Sequence, residues 1–134
     1  MNIRKIDHIG IVVANLEQGK KKFGNVLGLP HLRDEVSEEF QCKISFFQCG
    51  EVLVELIEPT GEGPSDTFLK KHGEGIHHIC YEVENIAESL VEMRKKLATD
   101  YTAPKAGAGN SQVFFLDPKS CCNVETEFVQ LKDR

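Results

Sequence analysis

Two histidines, His8 and His78, sit at matching places in stretches that repeat one another. IDHIGIVVANL at residues 6–16 and IHHICYEVENI at 76–86 align without a gap at an offset of seventy, pairing Ile6 with Ile76, His8 with His78, Val13 with Val83 and Asn15 with Asn85. Self-similarity at a fixed offset marks a duplicated structural unit. A lone histidine is ordinarily structural, but a neutral imidazole is also the commonest metal ligand, and its repetition at equivalent places favours the ligand role. Two glutamates hold comparable places near the end of each half: Glu55 within VLVELIEP and Glu127 within NVETEFVQ. A carboxylate among apolar neighbours is costly unless it faces water, is paired or binds a metal. Two imidazoles and two carboxylates suit a divalent transition ion, and such an ion with open positions acts as a Lewis acid. His8, Glu55, His78 and Glu127 are therefore the expected ligands, and their types admit cobalt, nickel, zinc, manganese or iron. Glu125 shares the strand face of Glu127 and competes with it.

The elements that must position these residues are legible around the repeat. Each copy opens on a run dense in β-branched residues and ends at an Asn suited to cap a helix. The helices that follow keep the same offset, Leu16 with Ile86, Phe23 with Met93 and Leu27 with Leu97, which predicts one buried stripe in each. Gly19 and Gly24 weaken the first helix. Extended segments are expected at 30–36, 40–49 and 51–58, and again at 100–103, 111–117 and 123–131. Each half then reads βαβββ. The Gly- and Pro-punctuated stretch from 58 to 66 reads as a connection, completed by a short helix near 66–72. The expected layout is one α+β domain over 1–134, with module one at about 4–58, a connector at 59–74 and module two at about 75–131. Strand alternation puts His8 with Ile6, Gly10 and Val12, and His78 with Cys80 and Glu82, on the faces turned away from the helices. His77 has the opposite parity and is not expected to be a ligand.

Composition excludes several function classes. Sixteen lysines and arginines against 21 acids give a net charge of −5, and no basic cluster offers a nucleic acid or anionic membrane a docking face. The N-terminus lacks the apolar core and cleavage site of a secretory signal, and no apolar run approaches a membrane span. The expected location is the cytoplasm. Five cysteines without CxxC spacing predict free thiols rather than a disulfide framework or zinc ribbon.

With these residues in view, the sequence resembles the vicinal-oxygen-chelate superfamily (glyoxalase, bleomycin-resistance and dioxygenase proteins), and within it the methylmalonyl-CoA epimerases. The stretches that carry the resemblance are IDHIGIVVANLEQGKKKFGNVLGLP, VELIEPTGEGPSDTFLKKHGEGIHHICYEVENI and, more loosely, VFFLDPKSCCNVETEF. The resemblance implies two βαβββ modules whose curved sheets enclose a metal-bearing cleft, with the family's ligands falling on His8, Glu55, His78 and Glu127. It also implies an acyl-CoA or other thioester substrate, and leaves a homodimer open. The family reaction epimerises a 2-substituted malonyl thioester by proton abstraction through a stabilised enolate. The chain departs from the pattern at Ile44, where some epimerases carry a glutamate proposed as base, at Asp117, at GAGN in 107–110 and at SCCNVETEF. Proton transfer then falls to Glu127 or Glu55, or to Glu125, Glu38 or Glu39. The same ligand set would serve a glyoxalase I-type lyase acting on a thiol hemithioacetal, and the same fold a small-molecule-binding or resistance protein. A ring-cleaving dioxygenase fits less well, because its iron site uses two histidines and one carboxylate. Lys70 and Lys71 are candidates for a CoA phosphate contact, though exposed helix lysines are ordinarily just solvated.

Overall fold

A computed structural model describes residues 1–132. The chain is a mixed α+β protein in which each half runs strand, helix and three further strands, the order expected from the sequence. Strand β1 (Ile3–Val12) leads through the Asn15 cap into a short helix α1 (Leu16–Lys20), then come β2 (His31–Ser37), β3 (Cys42–Cys49) and β4 (Val52–Pro59). Helix α2 (Pro64–His72) connects to β5 (Gly75–Val83) and α3 (Ile86–Lys96), followed by β6 (Lys105–Ala106), β7 (Gln112–Leu116) and β8 (Glu125–Gln130). Two compact units divide these elements: His8–His77 forms one, and Met1–Asp7 with the described residues from His78 onward forms the other.

In the unit His8–His77 the strands run in the order β2-β3-β4-β1, with β4 parallel to β1 and the other pairs antiparallel. Parallel pairing of β1 with β4 follows from the helix and two further strands between them, because a parallel return needs a crossover. Side chains of Val13, Leu16, Phe47 and Leu56 form the core under the helix, with Ile11, Phe23, Leu29 and Val54 packed against them. The first helix differs from its predicted form. Only Leu16–Lys20 is α-helical, and Lys21–Val26 winds as a π-turn in which the Leu27 N–H reaches the Lys22 carbonyl, five residues back, at 2.9 Å. This wider winding breaks the 3.6-residue period. Leu27, expected on the buried stripe, is therefore exposed. The two glycines have a packing reason: a Cβ on Gly19 would stand 3.1 Å from Leu56 Cδ1, and one on Gly24 would stand 3.2 Å from the Phe47 ring.

In the other unit the order is β5-β8-β7-β6, with β8 parallel to β5. Here α3 keeps a regular stripe, and Ile86, Leu90 and Met93 pack on Val83, Phe114, Leu116 and Phe128. The Phe114 and Phe128 rings stack with centroids 5.0 Å apart. The N-terminal residues fasten to this unit through ion pairs, Arg4 with Glu82 and Glu84, and the Met1 amino group with Glu92. The strand expected at 100–103 is displaced to the two residues Lys105 and Ala106. Pro104, which has no N–H to give a ladder, stands just before them. Tyr101 instead takes its backbone partner from the Thr99 hydroxyl and turns its ring to the core. Among the described residues no helix is long and apolar enough to cross a membrane.

Candidate metal centre

Both units carry the same buried pair. In the unit His8–His77, β1 and β4 lie in parallel register with His8 opposite Leu53 and Gly10 opposite Glu55, so the imidazole and the carboxylate share one face on neighbouring strands. His8 Nδ1 lies 3.0 Å from Glu55 Oε2. In the other unit β5 and β8 repeat the arrangement, with His78 opposite Glu125 and Cys80 opposite Glu127. His78 Nε2 lies 3.0 Å from Glu127 Oε1. All four residues are 5–6% exposed. Each pair faces away from the helix, as strand parity requires, since Ile11 and Tyr81 on the opposite parity pack toward the helix side. A buried carboxylate needs a compensating group, and each of these has an imidazole, itself a cation ligand. Each pair thus offers one nitrogen and one oxygen donor, a set that suits a divalent transition ion.

The neighbourhood of each pair also repeats. Antiparallel register sets Phe46 of β3 directly beside Glu55, and Phe115 of β7 directly beside Glu127. The Phe115 ring meets the His78 imidazole edge-on, with centroids 5.7 Å apart. These aromatics stand beside the two carboxylates in the ladder and were not singled out from sequence. The signal was present, since Phe46 and Phe115 stand nine and twelve residues before their glutamates. It becomes visible only once the strand register is known.

Other candidate residues fall differently. Glu125, the competitor of Glu127, lies opposite His78 in the ladder, and burial raises its carboxyl above the usual value against the lowering influence of the His78 charge. Glu38 and Glu39 are exposed in the turn between β2 and β3. Ile44 is buried, set between Glu35 and Ile57. His77 packs edge-on against Phe68 of α2, with centroids 5.1 Å apart. Lys70 is exposed and paired with Asp66 of its own helix at 3.0 Å. Glu82, on the His78 face of β5, is 1% exposed and lies 3.7 Å from Arg4 Nε. All five cysteines are free thiols, and burial with the nearby Glu55 charge pushes Cys42 up to about 11, so it is not a reactive thiolate.

Known proteins match this chain along nearly its whole length. It is 34% identical over 134 residues to an uncharacterized protein of Bacillus subtilis (strain 168), a match covering 97% of this chain and 94% of the relative. It is 33% identical over 132 residues to the mitochondrial methylmalonyl-CoA epimerase of Homo sapiens, covering 96% and 75% of the two chains. Among solved structures, a methylmalonyl-CoA epimerase in complex with methylmalonyl-CoA and NH4+ superposes with a TM-score of 0.94 at 28% identity, covering 98% of this chain and 97% of that one. The model of the glyoxalase/bleomycin resistance protein/dioxygenase superfamily, whose members generally bind a divalent metal, matches residues 7–115. The chain belongs to that superfamily.

Proposed function

We propose that this protein epimerises a 2-substituted malonyl thioester, with methylmalonyl-CoA as the expected substrate, and that His8, Glu55, His78 and Glu127 together hold one divalent metal ion. The observation that carries the reading is the buried His–Glu contact of 3.0 Å found once in each unit at repeat-equivalent positions. Support for the substrate comes from the epimerases among its relatives.

Two nitrogens and two carboxylate oxygens match the donor preference of cobalt, nickel, zinc or manganese. When bound, such an ion supplies electrophilic stabilisation to the charge that develops on the thioester oxygen as the C2 proton leaves. The rest is work for the chain itself. The acids available to move the C2 proton are Glu55 or Glu127 on leaving the ion, or Glu125, which lies opposite His78. Glu125 has a carboxyl raised by burial, which favours proton transfer over permanent ionisation. Ile44 is buried and has no group to contribute to proton transfer. The apolar flanks made by Phe46 and Phe115 exclude water from the carboxylates.

The reading is tested by incubating one epimer of methylmalonyl-CoA with cobalt-loaded protein and following its optical activity. Decay to the racemate is expected. An unchanged signal from folded, metal-loaded protein would remove this substrate and favour a hemithioacetal or a bound, unreacted ligand.

A further inference from the structure

The two buried pairs have unlike aromatic neighbours. Beside Glu55 the Phe46 ring is covered: the Arg33 guanidinium carbon stands 4.0 Å from its centroid, and Phe46 is 1% exposed. Phe115, beside Glu127, is only partly buried. Its register opposite Glu127 puts it on the face that carries His78, and its ring meets the imidazole edge-on, with centroids 5.7 Å apart and planes at 83°. Of these two aromatics, Phe115 is the one that offers apolar surface beside a candidate ligand.

That ring is backed from within its own unit. The Tyr101 ring lies 6.2 Å from it, centroid to centroid, tilted by 44°. The Thr99 hydroxyl ties the two residues together, donating to the Phe115 carbonyl at 2.6 Å and accepting from the Tyr101 N–H at 3.2 Å. Tyr101 in turn packs against the core under α3, and Lys105 Nζ stands 5.4 Å from its ring centroid. Aromatic pairs at this spacing attract one another beyond simple burial, so Tyr101 holds Phe115 in place. A phenyl ring has no hydrogen-bonding atom to give a carboxylate or a phosphate. What it takes from water is an alkyl group.

We infer that Phe115 receives the alkyl group on C2 of the substrate, with Tyr101 as its positioning residue. The inference rests on the malonyl-thioester reading above, in which the oxygens of the acyl group lie with the buried pairs. C2 is bonded to the thioester carbon and carries the alkyl group one bond further on. A thioester oxygen beside His78 therefore leaves that group among the side chains next to the imidazole, where Phe115 stands. Phe115 then distinguishes a 2-alkylmalonyl thioester from an unsubstituted one.

The test is calorimetric binding of malonyl-CoA and methylmalonyl-CoA, which differ by one methyl group at C2, to cobalt-loaded wild-type protein and to Phe115→Leu, Phe115→Gln and Tyr101→Ala. Burying one methyl group strengthens binding about fourfold, so wild type is expected to prefer methylmalonyl-CoA by about that factor. Phe115→Leu, which keeps an apolar wall, is expected to retain the preference within about twofold, Phe115→Gln to abolish it, and Tyr101→Ala to reduce it. Malonyl-CoA affinity is expected to stay within about twofold throughout, which also shows that each variant keeps a working site. The same preference in wild type and Phe115→Gln overturns the role of Phe115. Parallel weakening of both ligands assigns Phe115 to holding His78 and overturns the alkyl contact. A wild-type protein that binds both ligands alike overturns the inference and leaves the malonyl-thioester reading standing, whereas one that binds neither removes both.

Discussion

The two His–Glu contacts are buried, so each partner depends on the other. Replacing His78 by Ala removes the imidazole 3.0 Å from the Glu127 carboxylate, which is 6% exposed, and deletes one nitrogen donor. Removing one partner of a buried charged contact costs about 3–5 kcal/mol by general experience, so the substitution is expected to destabilise as well as to weaken cobalt binding by at least about 100-fold. Unfolding curves and cobalt absorption titrations separate the two effects, and Glu127→Gln, which keeps the shape, is expected to lose metal with a smaller loss of stability. A different carboxylate shapes the acid response. Although burial pushes it up, Asp34 is held well below the usual carboxylate range by hydrogen bonds from Lys20, Ser45 and His31. An acid whose folded value is depressed stabilises the fold above its unfolded value, near 3.9, and loses that contribution as pH falls through the folded value. Asp34→Asn should therefore destabilise at pH 7, by about 1 kcal/mol or less because the side chain is nearly half exposed, and the gap to wild type should narrow below about pH 4. At this scale the four residues of the two buried pairs, His8, Glu55, His78 and Glu127, were legible in the sequence, because a repeat copies polar positions as faithfully as core positions. Phe46 and Phe115 were hidden, because their places beside Glu55 and Glu127 depend on strand register that local sequence does not encode.

The elements repeat less faithfully than the residues. Asn15 and Asn85 cap their helices alike, accepting from the Gln18 and Glu88 N–H groups at 2.9 and 3.1 Å. Asn85→Ala is expected to cost about 1 kcal/mol in denaturant unfolding, and Asn15→Ala less, since the short helix it starts passes into a π-turn after five residues. The expected length of that first helix failed for the same reason: Gly19 and Gly24 permit close approach to Leu56 and Phe47, and tertiary packing then overrides the helical period. The strand expected at 100–103 failed because an apolar Tyr101 looks strand-like in sequence while Pro104 prevents the ladder that would make it one. At the turn into β8, Cys122 adopts φ 56° and Asn123 φ 65°, a left-handed geometry that costs a β-carbon-bearing residue about 1 kcal/mol. Cys122→Gly should raise the unfolding midpoint, by up to about 1 kcal/mol, without altering metal binding. A lower midpoint would mean that the Cys122 side chain contributes packing that outweighs the backbone relief.

For the whole molecule, folding and metal binding are coupled, because only the folded strands bring the proposed ligands into their pairs. A ligand that binds only the folded chain stabilises it by about 2.7 kcal/mol at a hundredfold excess over its dissociation constant. Cobalt is therefore expected to raise the thermal midpoint of the wild-type protein, a chelator to reverse the rise, and His78→Ala to show neither change. The βαβββ pattern of each half was legible because strand and helix periods survive duplication, whereas the glyoxalase fold and the proposed substrate were reached through likeness to a family rather than through any periodicity. The most direct measurement of the central claim is NMR of methylmalonyl-CoA in D2O with cobalt-loaded protein, watching the proton at acyl C2. Exchange of that proton with solvent deuterium, followed by racemisation, is expected, with loss of both in His78→Ala. A C2 proton that persists beside folded, metal-loaded wild-type protein would contradict it.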